Sequence, residues 1–240
     1  MTSKRFGIPS FARAVAAGLL VVGGLAFVSA SSAQAALKMY ISDGTTSVTI
    51  ADNGAGDFAA GIDGVITSLM IPIGNFMVQL TGGMSKPAVG NAGAAVVHLS
   101  SSSTTSANAG GTLTIKLTDT DFSYGGTSLI FGTAFGGAGG TNSLEAYVNT
   151  DNVEFSTTGP GATKIADFAG FGPTQIASAG VDDLYSITLV GTVTLDAASG
   201  GSFDAQVAVP EPASLAMFGI GLLGLGLLWR RRTRAEAAAI

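Results

Sequence analysis

The sequence predicts an all-β fold, a two-sheet antiparallel sandwich of jelly-roll-like form, with a signal peptide before it and a transmembrane helix after it. The central part is rich in Gly, Thr, Ser and Ala with scattered Val, Ile and Leu, a composition that favours strands joined by glycine turns. Short segments that alternate apolar and polar residues recur along it. Eight or so short strands at this spacing are typical of a sandwich.

The first 35 residues have the three parts of a secretory signal peptide. A basic start reaching Arg13 precedes an uncharged apolar stretch over residues 14–30, and small residues follow in Ala33-Gln34-Ala35. We therefore expect signal peptidase to cleave after Ala35. The alternative is a permanent N-terminal membrane helix, but the apolar run is short and ends in small and polar residues.

The first two strands are predicted to form an antiparallel hairpin. Segments 38–42 and 45–50 flank Asp43-Gly44, two residue types that tolerate the positive φ of tight hairpin turns. The two segments should therefore be neighbours in one sheet.

Two later segments show the clearest alternation. Residues 113–119 alternate apolar and polar side chains, and residues 185–195 do the same over a longer run, with Gly191 as an expected bend or bulge. Residues 100–111 and 136–140 are predicted to be mobile surface loops. Further strands are predicted at residues 74–81, 94–100, 128–133, 144–149 and 153–157.

The C-terminal end combines Pro210-Glu211-Pro212, an uncharged apolar segment over residues 213–229, and a basic cluster. Seventeen residues in a helix rise only about 25 Å, the lower limit for crossing a bilayer core. Basic flanks stay on the cytoplasmic side, so the domain should lie outside. The cluster consists of Arg230, Arg231, Arg232 and Arg234.

These three parts together resemble a PEP-CTERM sorting signal. The resemblance implies that a membrane-embedded exosortase cuts near Pro-Glu-Pro and passes the protein outward, in Gram-negative bacteria that typically make extracellular polysaccharide. The residues alone support only a single-span protein with an external domain. The expected organisation is a signal peptide at 1–35, an external β-rich domain at 36–209, a sorting signal at 210–234 and a cytoplasmic tail at 235–240.

Charge and cysteine content restrict the functions open to the external domain. Residues 36–209 contain 14 acidic residues against four lysines and no arginine, a net charge of −10. Nucleic acid is therefore not expected as a partner, because phosphate binding needs a basic face. Cysteine is absent, so disulfides and thiolate metal sites are excluded.

Few residues suggest metal or catalytic chemistry. His98 is the only histidine, and the alternation of its segment makes it a solvent-facing strand residue. Without a second zinc-type ligand, only an oxygen site for calcium remains possible. Its candidates are Asp52, Asn53 and Asp57, with Asp63 nearby, or Asp119 with Asp121. The alternative is that these residues form turns, and no cofactor is expected.

Paired carboxylates can also hydrolyse glycosides, and Asp119 with Asp121 or Asp182 with Asp183 could form such a pair. Adjacent acids are common on turns, however, and the external domain has no tryptophan to stack on a sugar. We therefore expect a protein that is not an enzyme.

The leading hypothesis is an exported surface or matrix protein with a structural or adhesive role in a surface layer or biofilm. Its expected processing partners are signal peptidase and an exosortase, and it would be held transiently in the inner membrane before reaching the cell surface or medium. One alternative is a lectin-like carbohydrate-binding module that acts on exopolysaccharide with or without calcium. Another is a periplasmic protein tethered permanently to the membrane.

Overall fold

A computed structural model describes residues 37–68, 70–106 and 109–210, together with Gly221. Between residues 37 and 210, every regular element in the described part is a strand, and there are thirteen of them. No helix within the described residues is long and apolar enough to cross a membrane. The predicted signal peptide at 1–35 and, apart from Gly221, the predicted span at 213–229 lie outside the described residues.

The strands form two antiparallel sheets. The first sheet has the order β10-β9-β12-β7-β1-β2, and the second has the order β11-β8-β13-β6-β5-β3, with β4 paired to β5. The strand bounds are β1 Lys38–Ser42, β2 Ser47–Ala51, β3 Val65–Ile66, β4 Ile71–Ile73, β5 Phe76–Met84, β6 Val96–Ser106, β7 Gly111–Ser123, β8 Ser128–Ala138, β9 Thr141–Asn149, β10 Ala162–Phe168, β11 Gly172–Gly180, β12 Leu184–Leu195 and β13 Gly200–Ala208.

The strand order confirms the predicted sandwich and gives it jelly-roll topology. The last two strands each enter the middle of a sheet, β12 between β9 and β7 and β13 between β8 and β6. The order β10-β9-β12-β7 therefore faces the order β11-β8-β13-β6, which is the eight-stranded double-Greek-key arrangement. The early strands β1 to β5 extend the two sheets beyond β7 and β6.

The core lies between the sheets and is filled from both inner faces. On β7 the side chains of Leu113, Ile115 and Leu117 are fully buried, as the alternation predicts. Phe203 and Val207 on β13 oppose them from the second sheet, at 2% and 0% exposure. Both clear alternating segments of the sequence are thus central strands.

The β1–β2 hairpin forms as predicted, with a four-residue connection. Asp43 holds the turn, because its Oδ1 accepts hydrogen bonds from the backbone N–H groups of Thr45 and Thr46, at 2.9 and 2.6 Å. These bonds lower the pKa of the Asp43 carboxyl. Gly44 adopts a φ of 91°, which few other residues tolerate.

Three sequence-based expectations were wrong. Residues 153–157 form no strand, because Phe155 takes a φ of 54° and leaves extended geometry. Most of the predicted loop at 100–111 belongs to β6 and β7, and residues 136–138 complete β8. The bulge in β12 lies between Tyr185 and Ile187 rather than at Gly191. Strands β3, β4, β10, β11 and β13 were not predicted from the sequence.

Candidate functional site

The C-terminal junction of the domain is a central strand followed directly by an exposed proline. Strand β13 pairs with β6 on one side and β8 on the other. One residue beyond it, the Val209 N–H donates to the carbonyl of Ala95 at 2.9 Å, and the Val209 side chain is buried. Pro210 is exposed. The predicted motif therefore begins at the domain surface, where backbone pairing holds the chain.

Other predicted sorting residues fall outside the described part of the chain. These are Ala33 and Ala35 of the signal peptidase site, Glu211 and Pro212 of the motif, and the basic residues Arg230, Arg231, Arg232 and Arg234.

The first calcium candidates lie in the loop between β2 and β3, where their polar atoms bind loop backbone. Asp57 accepts hydrogen bonds from the N–H groups of Asn53, Ala59 and Thr67, at 2.9 to 3.0 Å. Such bonds are typical of Asp and Asn acting as turn formers. No group of three or more His, Asp or Glu residues in the described part of the chain is arranged to hold a metal ion.

Asp52 and Asp63 complete this loop. Asp52 Oδ2 accepts from the Gly64 N–H at 2.7 Å, and Asp63 Oδ1 accepts from Asn53 Nδ2 at 2.9 Å. The buried Asp52 Oδ1 has no hydrogen-bond partner among the described residues. Burial raises the pKa of Asp52, and the nearby charges of Asp57 and Asp63 add to the effect.

The structure separates Asp119 from Asp121. Asp119 is fully buried, whereas Asp121 is only partly buried and forms a two-way bond with Asn152. Asn152 Nδ2 donates to Asp121 Oδ1 at 2.7 Å, and the Asp121 N–H donates to Asn152 Oδ1 at 2.9 Å. The two carboxylates therefore have different hydrogen-bond partners.

Asp182 and Asp183 line an open cleft at one end of the sandwich, with a volume of about 550 Å³. The cleft also contains Asp151 and Asn152, and its apolar side includes the half-exposed Leu184. Three carboxylates and an amide side chain in one concave surface can accept hydrogen bonds from hydroxyl groups and donate hydrogen bonds to them.

His98 lies on the outer face of β6, between the fully buried Val97 and Leu99, as the alternation predicts. Its Nε2 lies 2.7 Å from Asp204 Oδ2 on the neighbouring strand β13. The pair is a cross-strand contact between partly and largely exposed side chains, at 21% and 61%.

One buried polar cluster was not predicted from the sequence. Lys86 follows β5, and its Nζ lies 2.9 Å from Oδ2 of Asp119 on β7. The two side chains are 2% and 0% exposed. Lys86 Nζ also donates to the carbonyl of Thr120, and Ser85 Oγ donates to the same Asp119 Oδ2 at 2.6 Å.

Two stacked aromatic rings lie against this buried cluster. We call it the Lys86–Asp119 cluster, and it includes Ser85 and Thr120. Lys86 Nζ lies 4.2 Å from the centre of the Phe122 ring, and that ring stacks on Tyr185 at 5.6 Å. Burial raises the pKa of the Asp119 carboxyl, although Lys86 and Ser85 act in the opposite direction.

One signal in the sequence could have located Asp119. It occupies the next inward position after Leu113, Ile115 and Leu117, so the alternation places a carboxyl in the core. A buried carboxylate requires a partner. Nothing local identifies Lys86 as that partner, because the two residues are 33 positions apart.

Comparison with known proteins adds one specific match. Residues 208–232 match the family model described as the PEP-CTERM protein-sorting motif. Such a motif implies an extracellular protein that is exported, sorted to the cell surface and processed by an exosortase. No curated protein matches the chain. Among solved structures, TmCBM61 in complex with beta-1,4-galactotriose matches at 10% identity and a TM-score of 0.27, over 56% of this chain and 88% of that one.

Proposed function

We propose, because the chain carries a PEP-CTERM sorting motif at residues 208–232, that the β-sandwich is exported cargo with a structural or adhesive role. In this proposal the C-terminal segment holds the protein briefly in the inner membrane. Exosortase cleavage near Pro210-Glu211-Pro212 then releases the domain to the surface layer or biofilm matrix. The domain works there by packing and contact and not by catalysis.

The observation that carries this proposal is the position of the motif relative to the fold. Residues 208 and 209 still make backbone hydrogen bonds within the second sheet, and the exposed Pro210 follows at once. A cut at or after Pro210 therefore removes the segment beyond the domain and leaves every strand of the sandwich complete. Cleavage a few residues earlier would remove part of a central strand.

The arrangement of polar residues supports a role other than catalysis. Asp119 is engaged in a buried cluster, Asp121 is bound to Asn152, and His98 is bound to Asp204 on an outer face. Asp119 and Asp121, one of the two carboxylate pairs that a glycoside hydrolase could use, therefore have separate surroundings.

Intact mass and location in the native host test the proposal. We expect the mature form to begin at Ala36, to end near Pro210 to Pro212, and to occur on the surface or in the medium. A triple alanine replacement of Pro210, Glu211 and Pro212 should keep the C-terminal segment and remain in the inner membrane. A wild-type protein that keeps Trp229 and the arginines in the inner membrane would instead make this a tethered periplasmic protein.

A second candidate function is carbohydrate binding at the cleft that contains Asp151, Asp182 and Asp183. Its carboxylates could bind sugar hydroxyls, and the host's own polysaccharide would be the ligand. A glycan array with and without calcium tests this function, with Asp182→Asn/Asp183→Asn as the variant and Asp204→Asn as a control outside the cleft. Absence of binding in both conditions removes this candidate.

A further inference from the structure

We propose that Lys86 and Asp119 condense to an isopeptide bond, a covalent link between the two sheets of the sandwich. Lys86 follows β5 of the second sheet, and Asp119 belongs to β7 of the first sheet. A domain without cysteine would thereby gain the kind of cross-link that a disulfide gives to other exported proteins. This proposal does not depend on the sorting proposal.

The two reacting groups are already in contact and held in position. Lys86 Nζ lies 2.9 Å from Asp119 Oδ2, so the amine is adjacent to the carboxyl group that it would attack. The carbonyl of Thr120 accepts a second hydrogen bond from the same Nζ. Holding two reactants in one fixed geometry removes most of the entropic barrier to a reaction between them.

The surroundings favour an uncharged product over a buried ion pair. The Phe122 ring covers Nζ, and Tyr185 lies behind that ring with a fully buried hydroxyl that has no hydrogen-bond partner among the described residues. Burial away from water disfavours an ion pair relative to a neutral amide product. Burial also raises the pKa of the Asp119 carboxyl. The neutral amine is the nucleophile.

The reaction needs no external reagent. The nitrogen of Lys86 forms a bond to Cγ of Asp119, and the bond from Cγ to Oδ2 breaks. Oδ2 leaves as water and takes two of the three protons of the original ammonium, and the third stays on the amide nitrogen. The ion pair and the product therefore differ by one water molecule.

Two neighbouring donors are placed where this reaction needs them. The Thr120 N–H donates to Asp119 Oδ1 at 2.9 Å, so it can stabilise the negative charge that develops on that oxygen during attack. Ser85 Oγ donates to Oδ2 at 2.6 Å and so assists the departure of the oxygen that becomes water. Each carboxyl oxygen thus has a separate donor suited to its part in the reaction.

A second lysine in the same domain lies equally close to carboxylates but is not buried. Lys164 Nζ lies 2.5 Å from Glu145 Oε1 and 2.9 Å from Asp167 Oδ2, but the lysine side chain is 39% exposed. Water stabilises both charges there, so the amine stays protonated and the pair remains ionic. Lys164 is therefore an internal control for proximity without burial.

Tryptic digestion of the protein purified from its host, after full denaturation, tests the link. Trypsin cuts after lysine but not between Lys86 and Pro87, so an unlinked chain gives separate peptides 39–116 and 117–164. We expect these peptides to remain joined, with a mass lower by one water than their sum and with fragment ions placing the link at Lys86 and Asp119. Normal cleavage after Lys164 in the same digest should show that the exposed lysine is unlinked.

Lys86→Arg is the matched variant, since a guanidinium keeps the charge but does not condense with a carboxyl group. We expect its two peptides to separate. Complete separation of the wild-type peptides, with Lys86 and Asp119 unmodified, would overturn the proposal. The wild-type digest decides the question even where the arginine variant does not fold.

Discussion

Two clusters of lysine and carboxylate in the same sandwich differ chiefly in their access to water. Lys86 and Asp119 are 2% and 0% exposed between the sheets, whereas Lys164, Glu145 and Asp167 lie on the outer face of the first sheet at 39%, 38% and 61%. The distances are similar, at 2.5 to 2.9 Å. Burial rather than distance therefore determines what each cluster contributes.

The physical reason is the cost of removing charge from water. A buried ion pair regains by mutual attraction only part of what desolvation costs, and loss of one partner leaves the other charge uncompensated. An exposed ion pair changes the free energy of unfolding little, because water solvates each charge whether or not its partner is present. The hydrogen bonds of Glu145 and Asp167 still raise the pKa of Lys164, which keeps that lysine charged at neutral pH.

Removing the buried lysine should have the largest effect on stability. We expect Lys86→Ala to lower the free energy of unfolding by about 3–5 kcal/mol, because the carboxyl of Asp119 is left in a dry site without the nitrogen of Lys86 as its partner. Urea unfolding followed by circular dichroism measures this change. A loss no greater than that of Lys164→Ala would contradict the contrast between the two clusters.

A glycine between the sheets should rank second. A Cβ added at Gly191 would lie 2.7 and 2.8 Å from ring atoms of Phe203 across the core, so Gly191→Ala should cost about 1–3 kcal/mol through overpacking. Gly136→Ala is the matched control, because a Cβ there meets no atom within 4 Å in the described structure. We expect that control to be neutral or slightly stabilising in the same unfolding experiment.

Asp52 has intermediate burial, and its effect should depend on pH. Its pKa is raised in the folded protein, so its stabilising contribution is present below the unfolded pKa and is lost as pH rises through the folded pKa. The stability of Asp52→Asn relative to wild type should therefore increase between acid and neutral pH, by less than about 1 kcal/mol after solvent screening. Urea unfolding of both proteins at several pH values measures this difference in the free energy of unfolding. A difference that does not change with pH would contradict the raised pKa of Asp52.

The smallest effect is expected at the exposed cluster. Lys164→Ala should leave the unfolding midpoint almost unchanged at moderate ionic strength, because salt screens exposed charges. The same titration at low salt should show at most a slight loss. A loss comparable with that of Lys86→Ala would mean that exposure does not separate the two clusters.

Patterns in neighbouring residues predicted those strands whose own sequence shows alternation or a turn motif. Alternation located β7 and β12, and the Asp43-Gly44 turn located β1 and β2. Residues 153–157 show the limit of this approach. Val153 and Phe155 alternate as in a strand, but the backbone of this segment bonds to side chains of β7 and β12 instead of pairing as a strand. The Phe155 N–H donates to Thr118 Oγ1 at 3.2 Å, and Ser186 Oγ donates to the Val153 carbonyl at 2.8 Å.

The sequence alone determined that this chain is a β-rich domain with a PEP-CTERM motif at its C-terminal end, because alternation and short motifs are written in neighbouring residues. Only the tertiary structure decided the jelly-roll strand order and the meeting of Lys86 with Asp119. Both depend on contacts between segments far apart in the chain, and the energy of such contacts comes from burial that no local pattern records.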